Sequence, residues 1–246
     1  MDKNELIDSL DYKKVDIKFL VISGSPRSEK ISRSAILAQE VIAGAQEIDA
    51  VEIIRYSFGN KRIAPLHVGA NVKDAAKDDF DAFHEKWLEA DAVIWSVPIY
   101  HMGPPSLVRA ALNRLSDLTI SSSRDADQSY LPRPSKVVSA VVQGNSRYGG
   151  QEITMQYLMQ HAHQMRCLWV SADMPESYHG VCAHVLTAEG LRADKGVMNM
   201  ARELGRRAAE TAKFVKAGLM LSENWLPDEY YPSRTDAGLI DRHLSA

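Results

Sequence analysis

Short apolar runs alternate along this chain with longer segments in which apolar residues recur every three or four positions. The runs are typical of strands buried on both faces, and the longer segments of amphipathic helices. Predicted strands cover residues 17–23, 50–56, 92–97, 136–143 and 167–171. Predicted helices cover residues 32–44, 74–89, 106–118, 150–164 and 189–218. This alternation predicts an α/β protein.

Each predicted strand except the last is followed by a crossover long enough to contain a helix. Such crossovers predict a parallel sheet with helices on both faces. We expect a five-stranded, doubly wound sheet in the order 2-1-3-4-5. Ligands of such sheets bind beyond the carboxyl ends of the strands, so the segments that follow strands one, three and four are the candidates for a binding site.

The first predicted strand ends in Ser-Gly-Ser-Pro at residues 23–26, and a helix is predicted a few residues later. Backbone N–H groups and the positive end of a helix dipole favour an anion at such a junction. Five serines lie between positions 23 and 34, with Arg27 and Arg33 beside them. Neither a Walker lysine nor a Gly-rich dinucleotide fingerprint is present, which favours a mononucleotide phosphate. An ordinary turn whose serines only cap the helix is the alternative.

Proline, glycine and aromatic residues follow strands three and four. Residues 96–105 read Ser-Val-Pro-Ile-Tyr-His-Met-Gly-Pro-Pro, a rigid loop whose Tyr100 and Met102 suit a flat heteroaromatic ring. In residues 143–152, Gln-Gly-Asn-Ser-Arg-Tyr-Gly-Gly-Gln-Glu, glycines let the backbone approach a ligand and Tyr148 offers a second aromatic face. The alternative for the first loop is a surface turn with Tyr100 packed on the core.

Composition excludes several classes of function. The 246 residues carry a net charge of −3, which argues against a nucleic acid or an anionic membrane as partner. Without a membrane-length apolar run or a signal peptide, we expect a cytoplasmic protein. Cys167 and Cys182, the two cysteines, predict neither a disulfide framework nor a metal site. We expect one domain over residues 1–246, with its core at about 17–217 and a C-terminal arm at 219–246.

Three motifs in this order resemble the NADPH-dependent FMN reductase family. They are Gly-Ser-Pro-Arg at 24–27, Pro-Ile-Tyr at 98–100 with the helical sequence at 107–114, and Gly-Gly-Gln-Glu at 149–152. Within the family, the chain is most similar to iron–sulfur flavoproteins and their cluster-free relatives. The resemblance implies a flavodoxin-like fold, non-covalent FMN, and a homodimer or homotetramer. It also implies an NAD(P)H-dependent reductase, with NADPH or NADH as co-substrate and a small acceptor such as a quinone or free flavin.

The resemblance further implies which residues bind FMN, and no catalytic side chain, because flavin N5 is the reactive centre. The implied phosphate ligands are Ser25, Arg27, Ile31 and Ser32. The implied ring contacts are Pro98, Ile99, Tyr100, His101, Met102 and Gly103 on one loop and Asn145, Ser146, Tyr148 and Gly149 on the other. Main-chain amides between Met102 and Ser106, other than the prolines, are the expected donors to the N1–C2=O edge of the flavin.

The chain departs from the iron–sulfur flavoproteins after strand two. Those proteins carry a compact cysteine cluster there, whereas residues 62–72 of this chain contain no cysteine, so we expect no iron–sulfur cluster. The polar segment 116–135 is expected to be an excursion that contacts a neighbouring subunit or covers the flavin. Two alternative functions remain: an FMN electron carrier reduced by a partner protein, and a binding module without cofactor. Carriers of this type are usually shorter and strongly acidic, which disfavours the first.

Two groups of polar residues are expected to have no ligand. His161 and His163 are two positions apart on a predicted helix and face different directions, which argues against a metal pair. The last predicted helix has cations interleaved with glutamates, which predicts a solvated, salt-bridged surface. These cations are Arg202, Arg206, Arg207 and Lys213.

Overall fold

The computed structural model describes residues 12–66, 78–124 and 136–221. The strands are β1 (Ile17–Ser23), β2 (Val51–Ser57), β3 (Ala92–Pro98), β4 (Val137–Gly144), β5 (Leu168–Trp169) and β6 (Val181–His184). The α-helices are α1 (Arg33–Ala45), α2 (Phe80–Glu89), α3 (Ser106–Arg124), α4 (Gln151–Gln164), α5 (Ala188–Ala193) and α6 (Lys195–Leu221). Short 3₁₀ helices cover Tyr12–Lys14 and Glu29–Ile31.

The strands form a parallel sheet in the order β2-β1-β3-β4-β5, which confirms the predicted topology. Ser23 at the end of β1 is level with both Ser57 on β2 and Ser96 on β3. Pro98 at the end of β3 is level with Gln143 on β4. The carboxyl ends of these strands therefore lie along one edge of the sheet, where a ligand was expected.

The fifth position of the sheet is shared by two strands. β5 pairs with Val137 and Val138 at the start of β4, and β6 pairs with the last four residues of β4. Residues 171–180 leave the sheet between them. The predicted strand at 167–171 was therefore too long, and the Asp-Met-Pro-Glu sequence at 173–176 that follows it cannot extend the ladder. β6 was not predicted, and together with β5 it fills the fifth position of the sheet, beside β4.

Both faces of the sheet are covered by helices. β3 and β4 are buried along their whole length, as expected for central parallel strands. On one face, Phe58, Phe83, Trp87 and Trp95 form a cluster of aromatic rings with centroid separations of 5.3–6.5 Å. This cluster lies beneath the end of β2 and so supports the segment that borders the first loop.

On the other face, α1 and α6 pack with their backbones in contact. A Cβ added to Gly44 would lie 1.8 Å from Arg202 O, and one added to Gly205 would lie 2.0 Å from Val41 O. Only glycine allows this approach. The position of α1, which begins at the first loop, is therefore determined by α6.

The helix predicted at 189–218 is two helices, α5 and α6. Asp194 separates them, and its Oδ1 accepts a hydrogen bond from Val197 N–H at 3.1 Å. An aspartate in this position begins a new helix rather than continuing the old one, and the spacing of apolar residues does not reveal it.

Other predicted elements differ at their ends. α3 continues to Arg124, so the first part of the segment 116–135 is helical rather than an irregular excursion. α6 continues to Leu221. The predicted helix start at 74, the rest of the cysteine-free segment, residues 125–135 and the expected arm beyond 221 lie outside the described residues.

The predicted salt-bridged surface of α6 is confirmed for its arginines. The ion pairs are Arg202–Glu47, Arg206–Glu203, Arg206–Glu210 and Arg207–Asp173. Lys213 is different, because its side chain is fully buried and its Nζ donates to Lys13 O at 2.7 Å. The prediction that Lys213 belongs to the solvated surface was wrong.

The carboxylate of Asp78 connects the segment after β2, the start of α2 and helix α3. Asp78 Oδ2 accepts from Ala64 N–H at 2.6 Å and from Arg114 Nη1 on α3 at 2.5 Å, and Oδ1 accepts from Phe80 N–H at 3.1 Å. Burial alone would raise the pKa of Asp78, but the amide hydrogen bonds and the Arg114 guanidinium outweigh it and lower the pKa. The ionised form of Asp78 therefore stabilises the fold.

Replacing Asp78 with Asn should lower the free energy of unfolding at pH 7 by about 1.5–3 kcal/mol, the range for hydrogen bonds to a charged group. Because the native pKa is below the unfolded one, this stabilisation is complete above the unfolded pKa of about 4 and is lost as the pH falls through the native pKa. Urea unfolding at pH 7 and pH 3 should show a difference between Asp78→Asn and wild type that narrows at pH 3. Asp81→Asn, at an exposed position of α2, is the control. A difference of equal size at both pH values would contradict the prediction.

Candidate functional site

The loop after β1 passes directly over β3 and the start of α3. Gly24 N–H donates to Ser96 O at 2.8 Å, and a Cβ at Gly24 would lie 2.9 Å from Val108 Cγ2. The next residue, Ser25, is 2% exposed, and its Oγ accepts from Arg27 N–H at 3.2 Å. Glycine is required for this close approach, which determines where the loop leaves the sheet.

Three serine hydroxyls at the junction of β1 and α1 are buried and have no hydrogen-bond partner among the described residues. They belong to Ser23, Ser32 and Ser34. Ser32 occupies the N-cap of α1 with extended backbone, but its side chain makes no capping bond. The alternative in which the serines only cap the helix therefore fails for Ser32. Since buried hydroxyls are normally hydrogen-bonded, this junction is suited to a polar group that approaches the helix start.

The two arginines of the first loop have different environments. Arg27 is exposed, and its guanidinium makes no hydrogen bond or ion pair in the described part of the chain. Arg33 Nη1 instead donates to Val185 O at 2.9 Å and to Leu186 O, beyond the end of β6. Two carbonyl groups therefore already hold the Arg33 guanidinium, whereas that of Arg27 is open.

The loop after β3 begins with a two-residue turn. Tyr100 and Gly103 exchange backbone hydrogen bonds of 2.8 and 3.2 Å. The residues between them, His101 and Met102, have φ of 50° and 68°, which together define a type I′ turn. Asparagine and glycine are the usual residues of such turns, so a histidine and a methionine indicate a backbone strained at a functional position.

The loop after β4 is organised by the side chain of Gln151, the first residue of α4. Its Nε2 donates to Ser146 O at 2.6 Å, and its Oε1 accepts from Gly149 N–H at 2.9 Å. Gly149 N–H also donates to Ser146 O at 3.2 Å. The amide of Gln151 therefore fastens both sides of the loop while its tip, residues 145–148, remains exposed.

The loops after β3 and β4 approach each other closely at two points. Gly150 has φ of 99°, and a Cβ there would lie 2.6 Å from Met102 O. A Cβ at Gly144 would similarly lie 3.0 Å from Ile99 Cδ1. A larger residue at Gly150 or Gly144 would collide with the neighbouring loop. The two glycines therefore let the loops hold each other in place.

The structure brings the sequence-predicted site residues to one edge of the sheet. Pro98 and Gly103 are buried there, Ile99 and Tyr100 are half-buried, and Met102 is 51% exposed. Asn145, Ser146 and Tyr148 lie on the exposed tip, with Tyr148 94% exposed. Large apolar groups at this level of exposure suit contact with another molecule. Ile31, at 69% exposure, borders the first loop.

Sequence reasoning missed the structural roles of Gln151 and Gln143. Gln151 was interpreted only as the beginning of a helix, although its place after two glycines is a signal that the loop needs a fixed closing residue. Gln143 is buried and donates from Nε2 to Gly144 O at 3.1 Å and to Val185 O at 3.0 Å. It therefore joins β4 to the segment after β6, a contact that no local pattern reveals.

Other polar groups are occupied elsewhere. His161 contacts Ser116 Oγ through Nδ1 at 2.9 Å, and burial lowers the pKa of His161. His163 is exposed. Burial also raises the pKa of the Cys167 thiol to about 12. No cluster of three or more His, Cys, Asp or Glu side chains suitable for a metal occurs in ranges 12–66, 78–124 and 136–221. None of the helices in those ranges has the length and apolar character needed to cross a membrane.

Comparisons with known proteins define the family. A family model described as NADPH-dependent FMN reductase matches residues 17–175. An iron–sulfur flavoprotein of Methanocaldococcus jannaschii is 28% identical over 205 residues, which cover 81% of this chain and 100% of the relative. An iron–sulfur flavoprotein of Methanosarcina thermophila is 30% identical over 157 residues, which cover 61% of this chain and 75% of the relative. The chain belongs to the NADPH-dependent FMN reductase family.

Solved structures confirm the flavodoxin-like fold. RosB, crystallised with a formylriboflavin phosphate intermediate, aligns with a TM-score of 0.60 at 15% identity and covers 94% of this chain and 88% of its own. A flavone reductase aligns with a TM-score of 0.56 at 22% identity, over 81% of this chain and 64% of its own. A WrbA-like flavodoxin from Agrobacterium tumefaciens aligns with a TM-score of 0.54 at 21% identity, over 81% and 99%. Together with the family, this fold defines an FMN-dependent oxidoreductase.

The residues at the sheet edge fit FMN. The unpartnered hydroxyls of Ser32 and Ser34 and the uncapped start of α1 suit a phosphate, and the Arg27 guanidinium is open beside them. On the neighbouring loops, exposed Met102 and Tyr148 suit the apolar faces of a flat ring. Both halves of the ligand therefore have chemically matching groups at the same edge.

Replacing Gln151 with Met, which keeps the length of the side chain, should loosen the loop after β4 without unfolding α4. Two side-chain hydrogen bonds are lost, at about 1 kcal/mol each, so the Gly149 amide should exchange with solvent roughly tenfold faster or more. Hydrogen exchange followed by NMR measures this directly. Gln156→Met, at an exposed position of the same helix, is the control. Unchanged exchange at Gly149 would show that Gln151 does not hold the loop.

Proposed function

We propose that this protein oxidises a reduced nicotinamide nucleotide, NADPH or NADH, and transfers the electrons through bound FMN to a small acceptor such as a quinone or free flavin. The observation that carries the proposal is the convergence of three loops at one sheet edge, with unpartnered hydroxyls on one side and exposed aromatic and apolar groups on the other. This arrangement leaves the ring-binding loops accessible to a second, flat substrate.

The phosphate of FMN is proposed to bind at the first loop. Ser25 and Arg27 would hold it, together with Ser32 and the backbone of Ile31. Burial of Ser25 and Ser32 supports this role, because hydrogen bonds to an anion are stronger where water is excluded. The open guanidinium of Arg27 can match two phosphate oxygens at once.

The ring of FMN is proposed to lie between the loops after β3 and β4. Pro98, Ile99, Tyr100, His101, Met102 and Gly103 would contact it from one loop, and Asn145, Ser146, Tyr148 and Gly149 from the other. FMN, when bound, supplies the hydride-accepting centre, so no catalytic side chain is proposed.

The backbone of the turn after β3 limits which amides are free to donate hydrogen bonds to the flavin ring. The Gly103 amide donates to Tyr100 O, and Pro104 and Pro105 have no N–H. The amides of His101, Met102 and Ser106 have no acceptor in the described part of the chain, so they are the proposed donors to the N1–C2=O edge. Donors held in a fixed turn stabilise negative charge without reorganising.

We also propose that the chain binds no iron–sulfur cluster, unlike the proteins named iron–sulfur flavoproteins. Such clusters are held mainly by cysteine thiolates, usually four. The sequence has two cysteines, of which Cys167 is buried with a raised pKa and Cys182 is on β6. Their separation in the sheet gives no compact set of thiolates.

A homo-oligomer is proposed as the functional assembly. Ile31, Met102, Tyr148 and Leu186 are large apolar residues that are 51–94% exposed on segments at the carboxyl edge of the sheet. A second copy packed against this edge would cover part of this apolar surface and border the site without closing it. The cytoplasmic location expected from the sequence stays a prediction.

Anaerobic absorbance spectroscopy tests the proposed function. The purified protein, after addition of FMN and removal of excess, should show protein-bound flavin bands that bleach on addition of NADPH or NADH and return with a quinone. Iron analysis of the same sample should find none at stoichiometric level. Bound flavin that neither nucleotide reduces would favour the electron carrier instead, and a protein that binds no FMN would overturn the proposal.

The Arg27→Ala variant should bind FMN more weakly than wild type. Loss of charged hydrogen bonds worth about 1.5–3 kcal/mol should raise the Kd for FMN roughly 10- to 150-fold, and adding Ser25→Ala should raise it further. Quenching of flavin fluorescence measures the Kd. Arg55→Ala, at an exposed position of β2, is the matched control and should leave the Kd unchanged. Wild-type affinity in a folded double variant would contradict the phosphate assignment.

A further inference from the structure

Arg147 lies at the exposed tip of the loop after β4, between Ser146 and Tyr148. Its guanidinium has no hydrogen bond or ion pair within the described ranges. The neighbouring Tyr148 ring is 94% exposed. A planar cation and an aromatic ring are therefore presented side by side to solvent at the ligand edge of the sheet.

This tip is exposed but its backbone is held. Gln151 binds both Ser146 O and Gly149 N–H, and Gly150 is fixed against Met102 by a contact that leaves no space for a Cβ. His184 Nε2 lies 3.0 Å from Asn145 O at the start of the tip. A held backbone with open side chains reduces the ordering cost of binding, so the tip is preorganised for a ligand.

The other arginines on these loops already have a partner or a proposed role. Arg33 is bound to two carbonyl oxygens beyond β6. Arg27 lies on the first loop, where it is proposed to bind the phosphate of FMN, and Lys30 lies on the same loop. Of the arginines on the loops after β1, β3 and β4, Arg147 is the one in the described residues for which FMN provides no partner.

We infer that Arg147, with Tyr148, receives a phosphate group of the reduced nicotinamide nucleotide. The inference rests on the proposed function and extends it to donor recognition. The guanidinium fork matches the oxygens of a phosphate, and the tyrosine ring offers a face on which a nucleotide base stacks. Arg147 lies one residue from the ring-binding Tyr148 and Ser146, so a nucleotide whose nicotinamide reaches the flavin can extend its phosphates over this tip. No covalent step is involved, because the contact only positions the donor.

Donor kinetics of the FMN-loaded protein test the inference. In Arg147→Ala, kcat/KM for flavin reduction should fall about tenfold or more at low salt through a higher KM, and Arg147→Lys should retain part of it. Added salt should lower kcat/KM in the wild type more than in Arg147→Ala, because the exposed charge is screened. The Kd for FMN should stay at the wild-type value in both variants. Arg55→Ala, on the outermost strand β2, is the matched control.

Comparing three hydride donors, NADPH, NADH and reduced nicotinamide mononucleotide, shows which phosphate of the nucleotide Arg147 binds. A loss confined to NADPH assigns Arg147 to the 2′-phosphate, and an equal loss for NADPH and NADH but not for reduced nicotinamide mononucleotide assigns it to the adenylate side of the diphosphate. A loss for all three assigns it to the phosphate next to the nicotinamide ribose. Values within twofold of wild type for every donor, or a weakened Kd for FMN, would overturn the inference. Failure of the proposed function gives a different result, since wild-type flavin would then be reduced by none of the donors.

Discussion

The site depends on two backbone hydrogen bonds that continue the sheet beyond the paired ends of its central strands. Gly24 N–H donates to Ser96 O at 2.8 Å, and Ile99 N–H donates to Gln143 O at 2.9 Å. Because β3 and β4 are buried on both faces, a change of register would place buried polar groups without partners. The first residue of each loop is therefore fixed relative to its neighbour by the same forces that stabilise the core.

Loops fixed in this way can maintain a strained backbone. Positive φ at His101 and Met102 costs of order 1–3 kcal/mol per residue, and the turn is held against this cost by the paired bonds of Tyr100 with Gly103. Gly150 closes against Met102 from the neighbouring loop. Glycine at either turn position would remove the strain, and the side chains of His101 and Met102 are exposed rather than packed in the core. Their exposure on the loop after β3 suits the proposed contact with the flavin ring.

Sequence patterns were sufficient where burial is local and repetitive. The first four strands were predicted within one residue at each end because their apolar runs are buried on both faces. The positions of the three loops were predicted for the same reason, since each follows such a run. Arg33, Lys213 and the division of the fifth strand position were not predictable. Arg33 reaches a carbonyl 152 positions away and Lys213 one 200 positions away, and no local spacing encodes such partners.

The distribution of arginines shows why residue type alone was insufficient at the site. Arg27, Arg33 and Arg147 all lie near the carboxyl edge, and by composition each is an equal candidate for a phosphate. The structure separates them, because a guanidinium bound to carbonyl oxygens must give up those bonds before it can bind an anion, whereas an open one need not. Arg33 therefore connects the first loop to β6, and the two open arginines lie on different loops. The proposed function brings two phosphorylated molecules to one flavin, and Arg27 and Arg147 offer one open guanidinium on the loop after β1 and one on the loop after β4.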